Sequence, residues 1–309
     1  MSDLTVTQKY ADPQVVAFWQ SLAEQGLQQA ELEMVRRYLP LTGHLLDLGC
    51  GAGRAMLALN QHSYTVTGID LSLPMLHAGR DLSAEMKMGG ANLLSLPFAG
   101  NSFTAAFMFF GALQHIPGRA NRQQALAQMA RVVQPGGQLI LGLDNLAPAL
   151  LCYAYWLSAR LNTVTHSNNC ISPSPTLRVP ISSSSTADDT LWQPRTHPLV
   201  WHLRGLKRSL RWRTLPGLVD TLRYASLLPG ELGDTQVAQF SQPATKGKVY
   251  YHIYRASELI EDASFAGWEP LGFHAGRELS EGVTYPPSIR ERDKQLFFAF
   301  EKRRMTNDG

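Results

Sequence analysis

Two acidic side chains and a glycine-rich turn are the residues whose types and spacing could hold a ligand. Asp47 is the third residue of the run LLDL, and Gly49, Gly51 and Gly53 follow that run. Glycines in such a turn allow positive φ angles and let the backbone lie against a ligand. Asp70 ends the next apolar run, YTVTGID. A carboxylate there can accept two hydrogen bonds from a ribose diol, each worth about 1.5–3 kcal/mol because the acceptor is charged.

The turn departs from the GxGxxG pattern that cradles a pyrophosphate. Its third glycine comes one position early, and Arg54 takes the last place. Asp47 would repel a pyrophosphate but attract an ammonium group, and the helix expected after the turn offers N–H groups to a carboxylate. These features favour a cofactor with an amino-acid head, a ribose and no phosphates, which describes S-adenosylmethionine. For the glycines alone, a tight turn that binds no ligand is the alternative.

Short apolar runs alternate with helical patterns along the first half of the chain. Strands are predicted at 45–48, 64–70, 86–92, 103–110 and 138–143, and helices at 13–39, 54–61, 72–82 and 121–133. This alternation predicts a parallel sheet with right-handed crossovers. Ligands bind outside the carboxyl ends of such strands, so the side chains at the strand ends should form the site.

The alternation stops after Asp144 and resumes near residue 248. Residues 162–190 are rich in Ser, Thr, Asn and Pro, which is typical of a mobile loop. The run KVYYHIY and a helical pattern open the last part of the chain. Two further strands, expected to be a hairpin-like pair of the same sheet, follow at 269–275 and 295–303.

Five segments together point to a known family: LLDLGCGAGR, GIDLS, NLLSLPF, FFGALQHI and RVVQPGGQLIL. They resemble class I S-adenosylmethionine-dependent methyltransferases, nearest to the small-molecule branch that includes quinone-ring C-methyltransferases. The resemblance covers residues 40–144 and resumes over 248–303. It implies an α/β, Rossmann-like fold with a seven-stranded, mostly parallel sheet, helices on both faces and a long insertion after the fifth strand.

The same resemblance implies four regions in the chain. Residues 1–40 would form an N-terminal helical lid, and residues 41–144 the core that binds S-adenosylmethionine. Residues 145–247 would be an insertion on the acceptor side, and residues 248–309 would complete the core sheet.

The family pattern also implies roles for single residues. Asp47 and the turn Gly49-Cys50-Gly51-Ala52-Gly53 would hold the methionine part of the cofactor. Asp70 would bind the ribose hydroxyls, and Leu71 would lie against the adenine. Cys50 is expected to be a small packing residue there rather than a nucleophile.

Four more positions complete the implied cofactor site. Asn92 and Leu93 would bracket the adenine edge, and Phe109 would lie near the methionine backbone. Tyr10 resembles an N-terminal tyrosine that closes over the cofactor, although an ordinary core aromatic is an equally good interpretation. The family usually has Asp where this chain has Asn92 and Thr104, and both departures would weaken cofactor binding.

Methyl transfer is an in-line displacement, in which the protein mainly aligns the acceptor and excludes water. A base is needed only where the nucleophile carries a proton that must leave. His115 and Asp144 are the candidates, with a loop-capping histidine and a helix N-cap as the alternatives. The sequence has no metal-ligand spacing, so we expect no metal.

The positive charge of the chain is concentrated in its middle third. The net charge is +3, yet residues 145–250 hold 11 of the 28 basic and 5 of the 25 acidic residues. As a helix, residues 199–212 would carry leucines on one stripe, basic side chains beside it, and Trp201 and Trp212. A basic amphipathic helix with tryptophans is typical of a membrane-surface element. We therefore expect a hydrophobic small-molecule acceptor, with this helix in peripheral contact with a membrane.

Three other interpretations of the insertion stay open. Its basic and aromatic residues could meet RNA, and residues 248–268 are similar to the segment that ends the tRNA wobble-uridine methyltransferases. The helix could also be a solvated lid, since charged side chains are mostly exposed. Finally, the chain could be a non-catalytic binding subunit with a methyltransferase fold, which the intact Asp47, Asp70 and glycines disfavour.

Cysteine content and the N-terminus bear on location. The three cysteines form no CxxC pair, as expected in a reducing cytoplasm. The first residues have no basic start followed by an apolar run, so no signal peptide is predicted. We expect a cytoplasmic protein that reaches the inner face of the membrane only through residues 199–212.

Overall fold

Seven of the predicted strands pair into one sheet, in a computed structural model that describes residues 5–60, 64–145, 234–237, 249–286, 290–291 and 293–304. Its strands are β1 (Gly43–Leu48), β2 (Tyr64–Asp70), β3 (Lys87–Gly90), β4 (Phe103–Met108), β5 (Val133–Asp144), β8 (Trp268–Ala275) and β9 (Gln295–Lys302). Their order across the sheet is β3-β2-β1-β4-β5-β9-β8. Two short strands, β6 (Asp234–Val237) and β7 (Val249–His252), pair separately.

The predicted seven-stranded, mostly parallel sheet is confirmed. Strands β1 to β5 are all parallel to one another, and β9 runs antiparallel to both β5 and β8. The strand order reverses between β1 and β4, so the carboxyl ends of these two strands form the crevice where a doubly wound sheet binds its ligand.

Helices precede β1 and connect the strands of the sheet. They are α1 (Val6–Tyr10), α2 (Pro13–Ala23), α3 (Gln29–Tyr38), α4 (Arg54–Leu59), α5 (Leu73–Leu82), α6 (Arg119–Val132), α7 (Ala256–Phe265) and α8 (Gly276–Glu281). A 3₁₀ turn, Ala112–His115, follows β4. Helix α5 begins as its sequence predicts, because the hydroxyl of Ser72 accepts from the N–H of Met75 and proline lies in the first turn.

Alternating side chains build a hydrophobic core on each face of the sheet. In β9, Phe297 packs into one core with Met34, while Phe298 packs into the other with Trp268. All four side chains are at most 1% exposed. Successive residues of a strand point to opposite faces, so apolar runs without polar interruptions are what a sheet covered on both sides requires.

The prediction of one helix over 13–39 was wrong, and the run at 248–254 lies outside the main sheet. The helix expected over 13–39 is broken into α2 and α3, because Gly26 adopts a left-handed φ of 71°. The run at 248–254 gives only the short strand β7, and β7 pairs antiparallel with β6 instead of joining the main sheet. Both departures matter for the site, because each delivers a hydrogen-bonding group to it.

Much of the predicted insertion lies outside the described residues. This applies to the loop expected at 162–190 and to the amphipathic helix expected at 199–212. The described residues belong to one unit, built from residues 1–147 and 230–309. Among them, no helix is long and apolar enough to cross a bilayer.

Candidate functional site

A cavity opens at the carboxyl ends of β1, β2 and β4. Helix α1 and the 3₁₀ turn complete its wall, through Val6, Ala112 and their neighbours. Eleven of the predicted site residues line it: Tyr10, Asp47, Gly49, Cys50, Gly51, Asp70, Leu71, Asn92, Leu93, Phe109 and His115. Gly53 and Asp144 do not line it.

The glycine turn forms the floor of the cavity and needs its glycines for different reasons. Gly49, Gly51 and Gly53 have φ angles of 74°, 54° and 82°, which side chains rarely adopt. A Cβ on Gly53 would lie 2.7 Å from the sulfur of Met86, so this glycine serves packing. A Cβ on Gly51 would meet nothing within 4 Å, so the backbone there is open to a ligand.

Asp70 is fixed by the backbone on either side of it. Its Oδ2 accepts from the N–H of Gly51 at 2.9 Å, and its Oδ1 accepts from the N–H of Ser72 at 2.8 Å. Burial raises the pKa of this carboxyl, while these backbone hydrogen bonds oppose the rise. Each oxygen keeps a second lone pair, so the carboxylate is oriented and can still accept from a diol.

Asp47 is buried near the end of β1, and charged side chains of both signs influence its carboxyl. Burial raises the pKa of its carboxyl to about 8; Arg54 opposes this rise, and Asp70 and Glu31 add to it. A carboxyl with this pKa is largely protonated at neutral pH. An ammonium group placed beside it would favour the ionised form.

Arg54, the cation that opposes this rise, is held by an ion pair. Its two terminal nitrogens donate to the carboxylate oxygens of Glu31 at 2.7 and 2.6 Å. One of them also donates to the carbonyl of Gly26 at 2.7 Å. The break between α2 and α3 therefore places both a carbonyl and a carboxylate on the guanidinium.

A group of two aromatic side chains, Phe110 and Trp19, extends from Arg54 along the cavity wall. The guanidinium lies 4.3 Å from the ring centre of Phe110, and Trp19 meets the same ring edge-on at 5.0 Å. Both aromatic residues line the cavity. Within the described part of the chain, the buried indole N–H of Trp19 has no hydrogen-bond partner.

Sequence reasoning missed this group: Gly26, Glu31, Trp19 and Phe110 were assigned no role, and Arg54 was noted only as a break in a glycine pattern. The available signal was Gly26 inside a predicted helix, because an interior glycine often marks a break.

Tyr10 and His115 meet at the wall of the cavity. The hydroxyl of Tyr10 lies 3.1 Å from Nε2 of His115, and the rings contact edge to face. Nδ1 of His115 lies 3.0 Å from the carbonyl oxygen of Tyr250 in β7. Burial lowers the pKa of His115 to about 4, so the ring is neutral at physiological pH.

Asp144, the second candidate base, belongs to a neighbouring network around Gln114. Gln114 is fully buried and donates to the carbonyls of Asp144 and His252 at 2.9 and 3.1 Å. Its own carbonyl accepts from the N–H of Asp144 and the hydroxyl of Tyr251. Desolvation raises the pKa of the Asp144 carboxyl and the hydroxyl of Tyr251 opposes this rise, and the residue as a whole is exposed to solvent.

The positions where the chain departs from the family pattern have different surroundings. Asn92 is exposed at the cavity, and its carbonyl accepts from the N–H of Leu94 at 2.9 Å, which leaves one lone pair for another donor. Thr104 does not line the cavity. Its hydroxyl donates to the carbonyl of His44 at 3.0 Å and so joins β4 to β1.

The remaining lining residues are apolar. Leu93 and Phe109 are buried, whereas Leu71 is 46% exposed and offers a free face. Cys50 is buried, and desolvation raises the pKa of its thiol. A thiol held in its protonated form is a poor nucleophile.

Residues 46–141 match the family described as a methyltransferase domain. They form a methyltransferase domain. The match spans β1 to most of β5, and therefore the glycine turn, both carboxylates and the 3₁₀ turn.

Curated relatives of this methyltransferase domain act on different molecules. Over 95 residues the chain is 38% identical to a demethylmenaquinone methyltransferase of Corynebacterium kroppenstedtii, covering 31% of this chain and 39% of that protein. Over 118 residues it is 33% identical to a probable tRNA methyltransferase 9B of Bos taurus, covering 37% of this chain and 25% of that protein. The chain thus spans well under half the length of these two relatives.

The fold also has solved counterparts. An S-adenosylmethionine-dependent methyltransferase from Methanosarcina mazei superposes with a TM-score of 0.52 at 18% identity, covering 87% of this chain and 97% of that chain. At this identity the likeness concerns the fold, which is the class I α/β fold.

The methyltransferase domain implies S-adenosylmethionine as its cofactor, and the residues present fit that group. Asp47 and Asp70 are carboxylates suited to an ammonium group and a diol. Gly51 leaves open space against the backbone. No cluster of three or more potential metal ligands occurs within the described ranges.

Proposed function

We propose that this protein transfers the methyl group of S-adenosylmethionine to a small organic acceptor at oxygen, nitrogen or carbon. The observation that carries the proposal is the placement of Asp47 and Asp70. Asp47 is the next-to-last residue of β1 and Asp70 the last residue of the adjacent parallel strand β2, and both line one cavity. Pairing brings the two strand ends together, as an amino-acid head and a ribose on one ligand require.

The chain's residues would divide the work between binding and exclusion of water. Asp47 would hold the ammonium group of the cofactor, and the carboxylate of Asp70, oriented by Gly51 and Ser72, would accept from the ribose hydroxyls. Leu71 and Leu93 would contact the adenine. When bound, S-adenosylmethionine supplies a methyl group on a sulfonium; the acceptor takes that methyl group by in-line displacement, and the sulfonium leaves as a neutral thioether.

The wall of the cavity supports a hydrophobic acceptor. Four aromatic side chains line it: Tyr10, Trp19, Phe109 and Phe110. Such rings offer large apolar faces, and closing them over a ligand excludes water. This composition favours an apolar or aromatic small molecule over a strongly charged one.

A tRNA acceptor is the second candidate. One observation favours it, namely the 33% identity to a probable tRNA methyltransferase over 118 residues. The similarity of residues 248–268 to the end of the wobble-uridine enzymes adds to it.

A radiolabelled methyl assay separates these acceptors. The purified protein is incubated with methyl-labelled S-adenosylmethionine and either a solvent extract or total RNA from the source cells. Label in the solvent extract alone supports the small molecule, and label in RNA alone contradicts it. Calorimetric titration with S-adenosylmethionine, without an acceptor, tests the cofactor: absence of binding would refute the function as a whole.

A further inference from the structure

Helix α1 forms part of the cavity wall but is too short to hold itself in place. It has five residues, and two of them, Val6 and Tyr10, line the cavity. Isolated helices of this length are unstable in water. Thr5 and Gln8 cap its first turn, so what fixes its last turn must come from elsewhere in the fold.

Tyr10, the last residue of α1, is held by contacts from two directions. Its carbonyl accepts from the hydroxyl of Ser72 at 2.7 Å, and the N–H of Ser72 in turn donates to Asp70 at 2.8 Å. Its hydroxyl contacts His115, which reaches the carbonyl of Tyr250 in β7. A continuous series of hydrogen bonds therefore runs from the ribose-binding carboxylate through α1 to β7.

The protons in this series can be assigned from chemistry. A carbonyl oxygen only accepts, so Nδ1 of His115 must carry the proton that is donated to Tyr250. In a neutral imidazole the other nitrogen then has a lone pair. Nε2 therefore accepts, and the hydroxyl of Tyr10 donates. The lone pair with which His115 would act as a base is already used by Tyr10.

We propose that His115 is a positioning residue which, by accepting from Tyr10 and donating to the Tyr250 carbonyl, holds helix α1 over the cofactor cavity. Its role is to slow loss of the bound cofactor, and it does not remove a proton from the acceptor. The inference builds on the proposed function, because it takes the ligand of the cavity to be S-adenosylmethionine.

Two substitutions at His115 separate its two hydrogen bonds. In His115→Asn the side-chain amide can replace Nδ1 and keep the bond to Tyr250, while the bond to Tyr10 is lost. In His115→Gln the longer side chain can replace Nε2 and keep the bond to Tyr10. Tyr10→Phe removes a single hydroxyl and tests the same bond from the other side, with little risk to folding.

The readouts are the affinity for S-adenosylmethionine by calorimetry and its dissociation rate by stopped flow. We expect Tyr10→Phe and His115→Asn each to weaken binding by about 3- to 10-fold, through faster dissociation, as loss of one hydrogen bond implies. The double variant should bind S-adenosylmethionine no more weakly than the weaker of the two single variants, because both changes remove the same hydrogen bond. His115→Gln should keep more of the affinity than His115→Asn. Tyr64→Phe, a tyrosine change outside the cavity, is the control.

Hydrogen exchange provides a second measurement. Backbone amides of residues 6–12 should be protected by S-adenosylmethionine in the wild type, and this protection should shrink in Tyr10→Phe. Wild-type affinity and protection in both Tyr10→Phe and His115→Asn would overturn the inference, as would additive losses in the double variant. Failure of the wild type to bind the cofactor would instead overturn the proposed function.

Discussion

Arg54 and Glu31 form a buried, two-bond ion pair that joins helix α3 to the glycine turn of the cofactor site. The N–O distances are 2.7 and 2.6 Å, and the side chains are 8% and 0% exposed. Because Arg54 also favours ionisation of Asp47, the pair connects the stability of the N-terminal helices with the charge of the site.

Glu31→Gln should destabilise the fold strongly. Removing one partner of a buried pair leaves the other charge uncompensated, at a cost of about 3–5 kcal/mol. Glu33→Gln is the matched control, because Glu33 in the same helix pairs with Arg37, which is 41% exposed. It should cost no more than about 1 kcal/mol. Urea unfolding measures both, and similar losses would show that the buried pair has no special weight.

Affinity for S-adenosylmethionine should rise with pH between 6 and 8. In the ligand-free protein Asp47 has a pKa of about 8. Below that pH, binding of an ammonium group beside this carboxyl must therefore release its proton. The gain approaches about tenfold per pH unit, and it levels off near pH 8, where the cofactor's own amino group also begins to lose its proton. Calorimetry across this range tests it. Asp47→Asn should bind more weakly and lose most of the dependence; an unchanged profile would remove Asp47 from ammonium binding.

The same carboxyl should make the ligand-free protein less stable as pH rises. Burial lifts the pKa of Asp47 from 3.8 to about 8 on folding, so between these values the folded state binds more protons than the unfolded state. Its contribution to stability is therefore present at low pH and is lost as pH rises towards 8. Asp47→Asn should raise the thermal midpoint at pH 8 and change it little at pH 5. The opposite order would contradict the raised pKa.

Asp70→Ala should weaken binding of S-adenosylmethionine by about 10- to 100-fold, if two hydrogen bonds to a charged acceptor are lost. The change also removes the acceptor for the Gly51 and Ser72 N–H groups, so thermal unfolding must be measured alongside. Asp81→Ala, an exposed aspartate in the following helix, is the control. Unchanged calorimetric affinity in Asp70→Ala would refute the assignment of the ribose site.

Membrane contact through residues 199–212 stays a prediction from sequence. The protein should sediment with anionic liposomes at low salt and be released at high salt, because the basic side chains would meet lipid charges. Neutral liposomes serve as the control. A variant with Arg204, Lys207, Arg208 and Arg211 all changed to Glu should stay in solution. If the wild type also fails to sediment, the helix does not bind membranes.

The sheet could be predicted because its strands are nearly continuous apolar runs that end in informative residues. Asp47 and Asp70 lie at or next to the carboxyl ends of such runs, so parallel pairing alone brings them together. The residues missed by sequence reasoning act across long separations. Glu31 meets Arg54 only because Gly26 breaks a helix, and Tyr250 meets His115 across 135 positions. Periodicity carries no information about such contacts.

Four hydrogen bonds of the Gln114 side chain tie the end of β5 to the end of β7. One buried amide donates to the carbonyls of both Asp144, at the end of β5, and His252, at the end of β7. The closure cost of a flexible loop grows only slowly, by about 0.6 kcal/mol for each doubling of its length. The number of residues between the two anchor points could therefore change at little cost in stability, as long as β6 and β7 are kept together with the Tyr250 carbonyl that His115 contacts.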